Sequence, residues 1–222
     1  MLTLTTLTSL AEVVDTVNMT TRTYHHGQLR ESLIDAGVEL ARAGGPEAVQ
    51  LRAVSRAAGV SHNAAYRHFT DLDDLLAAVC TRAMRELALL MEDRMARVTT
   101  RVRVRRAWDR LDAIGTAYVE FARREPGWFR TAFSVGADPE AVGEEGVGRS
   151  GLSPYGLLGA CLDDLVAVGA LDADRRDGAE YAAWSMVHGL SALLVEGPLR
   201  ILPDEEVARA LRVSLGVVRR GL

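Results

Sequence analysis

Six of the eight side chains in Ser61–His68, SHNAAYRH, carry hydrogen-bonding groups. Presented from the start of a helix, His62 and Asn63 would reach base edges. An Asn amide pairs with adenine N6 and N7, and a His ring serves guanine N7 or O6. Tyr66, Arg67 and His68 add donors suited to phosphates, which position a protein on a duplex without reading its sequence. Other groupings are poorer in chemistry. His25 and His26 are neighbours whose side chains point apart, and no Cys or carboxylate cluster joins them, so no metal is expected. Cys161, or Asp163 and Asp164, with His188 would be the raw material of an enzyme. No nucleophile elbow, phosphate-cradling glycine loop or metal spacing accompanies them, so neither a catalytic residue nor a cofactor is expected. Arg97, Arg101, Arg103, Arg105 and Arg106 read as a solvated linker or as interdomain ion pairs rather than as a second nucleic-acid site.

The elements that must hold Ser61–His68 are helical, since no segment alternates as a strand does. Leu29, Leu33, Ala36, Leu40 and Ala41 stripe a first helix, which Gly44-Gly45-Pro46 ends. A second runs from about Leu51 to Ala58. Gly59 allows the positive φ of a tight turn, Ser61 caps a third helix ending near Phe69, and Asp71 caps a long fourth. Asp73 and Asp74 lie in the positive first turn of that helix, and Leu75, Leu76, Val79, Ala83, Leu87, Leu90 and Met91 form its apolar side. Two short helices about a glycine turn make a helix-turn-helix, whose second helix enters the major groove. Val54, Ala57, Ala58, Val60 and Ala65 are small enough for a close crossing, and Phe69 reads as core.

Four or five longer helices follow residue 100. Trp108, Leu111, Gly115, Tyr118 and Ala122 mark one, broken by Pro126-Gly127 before a short aromatic segment. Residues 136–154, rich in glycine and acids, read as a mobile loop. Leu158, Cys161, Leu162 and Leu165 mark the next helix. Ala179–Val195 is apolar nearly all round, as a helix buried on most sides must be. Pro203-Asp204-Glu205-Glu206 opens a last helix striped by Val207, Leu211, Leu215 and Val218.

The 222 residues are 48% hydrophobic and 25% charged, an ordinary globular balance with ample apolar material for a core. The net charge of −4 excludes a protein that coats nucleic acid but permits a local basic face. All 26 basic residues are arginine. The two cysteines, Cys80 and Cys161, have no CxxC spacing and fit a buried, reduced pair in the cytoplasm. No run approaches the ~20 apolar residues of a membrane span. The opening MLTLTTLTSLAEVV lacks the positive start and cleavage site of a signal peptide. It reads as a disordered extension over 1–21, with Met19 as the expected true start.

AxxAGVSxxxxYxHF, followed by an aspartate and a leucine-rich helix, resembles the DNA-binding domain of the TetR family over about residues 22–80. The resemblance implies an all-α protein: a three-helix helix-turn-helix domain over 22–70, then a larger helical bundle over 71–222 for ligand binding and dimerisation. It implies Ser61, Tyr66 and His68 at phosphates, the Ser61–Ala65 end, Ala64 included, facing bases, and Arg22 with Tyr24-His25-His26-Gly27 as a basic arm. Leu72 replaces the family's usual phosphate-binding lysine, and Gln50 its usual Thr or Ser cap. Ala183–Leu190, AWSMVHGL, is similar to the tryptophan…histidine-glycine signature of the WHG-type C-terminal domain. The resemblance further implies a repressor on double-stranded palindromic operator DNA, released by a small apolar effector. The homodimer would pair helices at about 179–196 and 204–220. Tyr118, Phe121, Trp128, Phe129, Phe133, Tyr155, Trp184 and His188 are the expected pocket residues, although aromatics at helical spacing also serve as plain core, and His188 as a satisfied core imidazole.

Overall fold

Helix α1 (residues 28–44) buries Leu33, Ile34, Val38 and Ala41, with Leu29, Ala36 and Leu40 partly buried beside them. The buried stripe thus turns slightly from the expected one and gains Ile34 and Val38. The computed structural model describes residues 28–134 and 143–222, with no strand among them. Arg22, the lead-in to Gly27 and the extension over 1–21 lie outside the described residues.

Helices α2 (Leu51–Ala57) and α3 (His62–Ala65) flank Gly59, whose φ of 69° is the left-handed turn that glycine adopts without steric cost. Val54 and Ala65 are fully buried at the crossing, Ala58 and Val60 partly so, whereas Ala57 faces solvent. The α-helical part of α3 is shorter than expected. After Ala65 the bonds tighten to Arg67 N–H on Ala64 O and His68 N–H on Ala65 O, and Phe69, 1% exposed, drops into the core. Gln50 makes no side-chain cap; its amide goes to Glu47 O.

Helix α4 (Leu72–Ala96) starts on two reciprocal aspartates: Asp71 accepts from Asp74 N–H at 2.9 Å, and Asp74 accepts from Thr70 N–H at 2.9 Å. Its 25 residues span roughly 37 Å at 1.5 Å per residue. Near its start, Leu75 and Val79 converge with Val54 on Gly37 of α1, so this first part belongs to the N-terminal core. Its later turns pack on α5 (Arg103–Arg124), α6 (Pro126–Ala132) and α7 (Pro154–Ala167). Helix α8 (Ala179–Val195) lies against α5, and α9 (Asp204–Gly221) against α8 and α5. Pro126 opens α6, so the expected break is a change of direction between two helices.

Within the stretch read as a mobile loop, 143–153 is tied to α4. Glu92 accepts from the Arg149 and Ser150 N–H groups at 2.9 and 2.8 Å and from Ser150 Oγ at 2.7 Å, while Arg149 pairs with Asp93. Burial opposes the Glu92 carboxylate, but these hydrogen bonds outweigh it and hold its pKa below the usual carboxylate value. Residues 136–142 of that stretch lie outside the described residues.

Candidate DNA-binding interface and internal cavity

Ser61 caps α3 by accepting from Ala64 N–H at 3.2 Å, which fixes the helix start from which the polar side chains fan out. Asn63, Tyr66 and Arg67 are exposed, and Tyr66 keeps half its surface open although it is large and aromatic. His62 is half-buried, its ring edge-on to Tyr66 at 4.7 Å with Nδ1 buried and unbonded within the described residues. Ala64 and His68 are also half-buried. The expected residues from Ser61 to His68 therefore share one short element, seated on Ala65 and Phe69. Arg30 of α1 lies 5.5 Å from the Phe69 ring centroid. The five arginines from Arg97 to Arg106 run from the end of α4 into the first turn of α5; they are exposed and enter no ion pair among the described residues, so the solvated reading fits and interdomain ion pairing does not.

Besides α4, whose Arg82 pairs with Glu31 and Asp35 of α1, α6 joins the two halves at the end of α1. Arg42 pairs with Glu125 at 3.3 Å and lies 4.3 Å from the Trp128 ring centroid. Arg130 donates to Gly44 O at 3.1 Å and pairs with Glu47 at 3.4 Å.

A cavity of about 410 Å³ lies among α4, α5, α7, α8 and α9. Four of the eight expected aromatic or His residues line it: Tyr118, Phe133, Tyr155 and Trp184. Phe121, Trp128 and Phe129 do not; they are at most 4% exposed and form the core around α6, where Phe121 packs on Trp128 and Phe129 on Tyr118. Spacing marks such residues as buried, and only the packing of α6 decides which of them borders empty space. His188 stands behind the wall with Nδ1 2.7 Å from the Tyr118 hydroxyl, which also accepts from Trp184 Nε1 at 3.2 Å. The Tyr118–His188 contact has one donor and one acceptor in either neutral tautomer: the phenol O–H donates to Nδ1 when the His proton is on Nε2, and Nδ1–H donates to the phenol oxygen when it is on Nδ1. Burial lowers the His188 pKa, so the neutral ring is favoured, and raises that of the Tyr118 phenol.

The cavity wall also includes residues that periodicity did not single out as site residues: Cys80, Thr81 and Met84 of α4 and Asp112 of α5. Asp112 Oδ2 accepts from Arg219 Nε at 3.1 Å and Nη2 at 2.6 Å, and the same Nη2 reaches Asp109 at 3.2 Å. No group of three or more His, Cys, Asp or Glu among the described residues could hold a metal ion. Cys161 is buried beside Met95, and burial pushes its thiol up to about 12, with Arg110 opposing the rise and Asp164 adding to it.

An exposed, capped helix after a glycine turn, mounted on a helical bundle with a cavity, defines a helix-turn-helix DNA-binding protein with a second helical domain. Residues 33–79 match the model of bacterial regulatory proteins of the tetR family, and residues 111–216 match the tetracyclin repressor-like, C-terminal domain. The chain belongs to the TetR family of transcription regulators, whose members bind operator DNA and act as dimers.

Among solved structures, a protein of unknown function from Rhodococcus sp. RHA1 is 25% identical with a TM-score of 0.68, covering 90% of this chain and 97% of its own. The fatty acid degradation regulator FadR from Bacillus halodurans is 15% identical, with a TM-score of 0.58 and coverage of 87% and 96%. The TetR family regulator PfmR from Thermus thermophilus is 20% identical, with a TM-score of 0.53 and coverage of 86% and 98%. The last two share the fold. Comparison with curated proteins gave no match.

Proposed function

We propose that the protein is a ligand-responsive repressor that leaves a palindromic operator when a small, largely apolar molecule enters the cavity. Residues 22–70 form the DNA-binding domain in this reading, and 71–222 the ligand-binding and dimerisation domain. Arg22, Ser61, Tyr66, Arg67 and His68 hold phosphates, while His62, Asn63 and Ala64 face bases. The observation that carries it is the double use of α4: Leu75 and Val79 pack in the core that supports α3, and Ala77, Cys80, Thr81 and Met84 line the cavity. A ligand that changes the cavity therefore acts on the helix that aims the DNA-binding element, and it shifts occupancy by its differential affinity for the two arrangements.

A homodimer through α8 and α9 is supported by apolar side chains left open on both helices. Tyr181 and Leu193 of α8 are 66% and 44% exposed, and Val213 and Val217 of α9 59% and 42%. A twofold mate on these faces buries them and sets two recognition helices ~34–36 Å apart, or a multiple of that. The convergence of Trp184 and His188 on Tyr118 gives the WHG signature a structural role and supports that subtype. No helix of the described residues is long and apolar enough to cross a membrane, and a DNA target suits a cytoplasmic protein.

Selection of bound duplexes from a random DNA library tests this reading. An enriched inverted repeat, its half-sites about one helical turn apart or a multiple, is expected. Recovery of no repeat, or of a single unrepeated half-site, contradicts the dimeric operator.

A further inference from the structure

The cavity wall is chemically one-sided. Among the described residues its lining carries a single charged residue, Asp112, and no arginine. Three donors on the wall are committed inside the protein: Thr81 Oγ1–H to Ala77 O at 2.9 Å, Cys80 Sγ–H to Thr131 O at 2.9 Å, and Trp184 Nε1–H to the Tyr118 oxygen. The Tyr118 hydroxyl is engaged with His188 Nδ1. One charged acceptor stays open. Arg219 bonds only to Oδ2 of Asp112, so Oδ1 takes no hydrogen bond among the described residues, and one guanidinium is shared between Asp112 and Asp109. The rest of the wall is apolar or aromatic, with Tyr155 edge-on to Trp184 at 5.8 Å.

Accepting the cavity as the effector site, we infer that its effector is a lipophilic organic cation: a protonated amine on an apolar, preferably aromatic, body. Its N–H groups complete the Asp112 carboxylate, and the faces of Tyr118, Phe133, Tyr155 and Trp184 attract the positive charge. A carboxylate or phosphate ester is disfavoured, because the wall offers it no cation beyond the Arg219 already bonded to Asp112 and sets it beside a like charge. A neutral ligand is accepted, but it leaves the charge of Asp112 without a further counterion. The volume of about 410 Å³ falls within the range of sites that enclose a drug-sized molecule.

Three probes of one shape test this by calorimetry at neutral pH: 2-(2-naphthyl)ethylamine, 2-naphthaleneethanol and 2-naphthylacetate. The amine is expected to bind at least about tenfold more tightly than the alcohol, with the carboxylate weakest, since a charge-assisted bond outweighs a neutral one by that order. Asp112→Asn should remove the amine's advantage over the alcohol. Arg219→Gln, which releases Asp112 from its internal partner, should raise amine affinity, so the proposal does not hang on one variant. Ala183→Phe, which fills the cavity, should weaken all three probes. Should the alcohol or the carboxylate bind as tightly as the amine in the wild type, and be lost in Ala183→Phe, the cation is overturned while the cavity keeps its role. Binding of all three probes that ignores Ala183→Phe overturns both, and so does no binding of any probe.

Discussion

Gly127 of α6 lies against the last carbonyls of α1 so closely that a Cβ there would sit 2.6 Å from Arg42 O and nearer still to Ala41 O. No flexible side chain can yield at that point, because both obstacles are backbone. Gly127→Ala must push α6 away from α1 and strain the Arg42–Glu125 and Arg130–Gly44 contacts around it. The expected cost is about 1–3 kcal/mol, as for an overpacked core. Thermal unfolding measures it, and an altered operator affinity in the folded variant would show that this junction couples the two halves. Unchanged stability contradicts the close packing.

Tyr118→Phe leaves Trp184 Nε1–H without its acceptor and His188 Nδ1 without its partner in a half-buried site. Roughly 1–3 kcal/mol of stability should be lost, and removing the hydroxyl without filling its place offers no compensation. Thermal denaturation of the wild type beside Tyr118→Phe is the measurement.

Stability should fall in two stages as the solution is acidified. Burial depresses the His188 pKa below its ordinary value of 6.5. The unfolded chain therefore takes up a proton that the folded ring resists. This contribution is complete above about pH 6.5 and declines as pH drops toward the folded value. The second stage belongs to Asp109, lowered first by the Thr100 hydroxyl against burial and then by Arg219, and to Glu92. Both keep their full contribution above the ordinary values of 3.8 and 4.5 and lose it as pH falls through their depressed ones. A pH series of unfolding temperatures with His188→Asn should flatten the first stage alone.

Cys161 should resist alkylation in the native state, because a thiol raised to about 12 and buried offers almost no thiolate at neutral pH. Mass spectrometry after iodoacetamide treatment, with and without denaturant, checks this. Rapid native labelling would place Cys161 elsewhere.

What the sequence disclosed was local. The Ser61 and Asp71 caps, the positive φ of Gly59 and the bounds of α8 each depend on a few neighbouring residues, and each is where the spacing put it. Contacts between distant segments were not legible. Glu92 and Ser150 are 58 positions apart, so the stretch containing Ser150 read as a solvated loop although α4 holds it. Helical periodicity told that Phe121, Trp128 and Phe129 are inward. It could not tell that the space beside them is filled by α6 while the space beside Asp112 and Met84 is empty. The shortening of α3 follows from Phe69 turning into the core, a tertiary demand that no propensity of Ala64 or Tyr66 announces.

The central claim, that Ser61–His68 is a DNA-reading element, is tested most directly by fluorescence anisotropy. The protein is titrated onto labelled duplex from beside its own gene at two salt concentrations, with Tyr66→Ala in parallel. Saturable binding to one palindromic segment is expected, weakening by about 0.9 log units per log unit of salt for each phosphate neutralised and lost in the variant. Binding that is indifferent to sequence, or that survives Tyr66→Ala unchanged, would contradict the account.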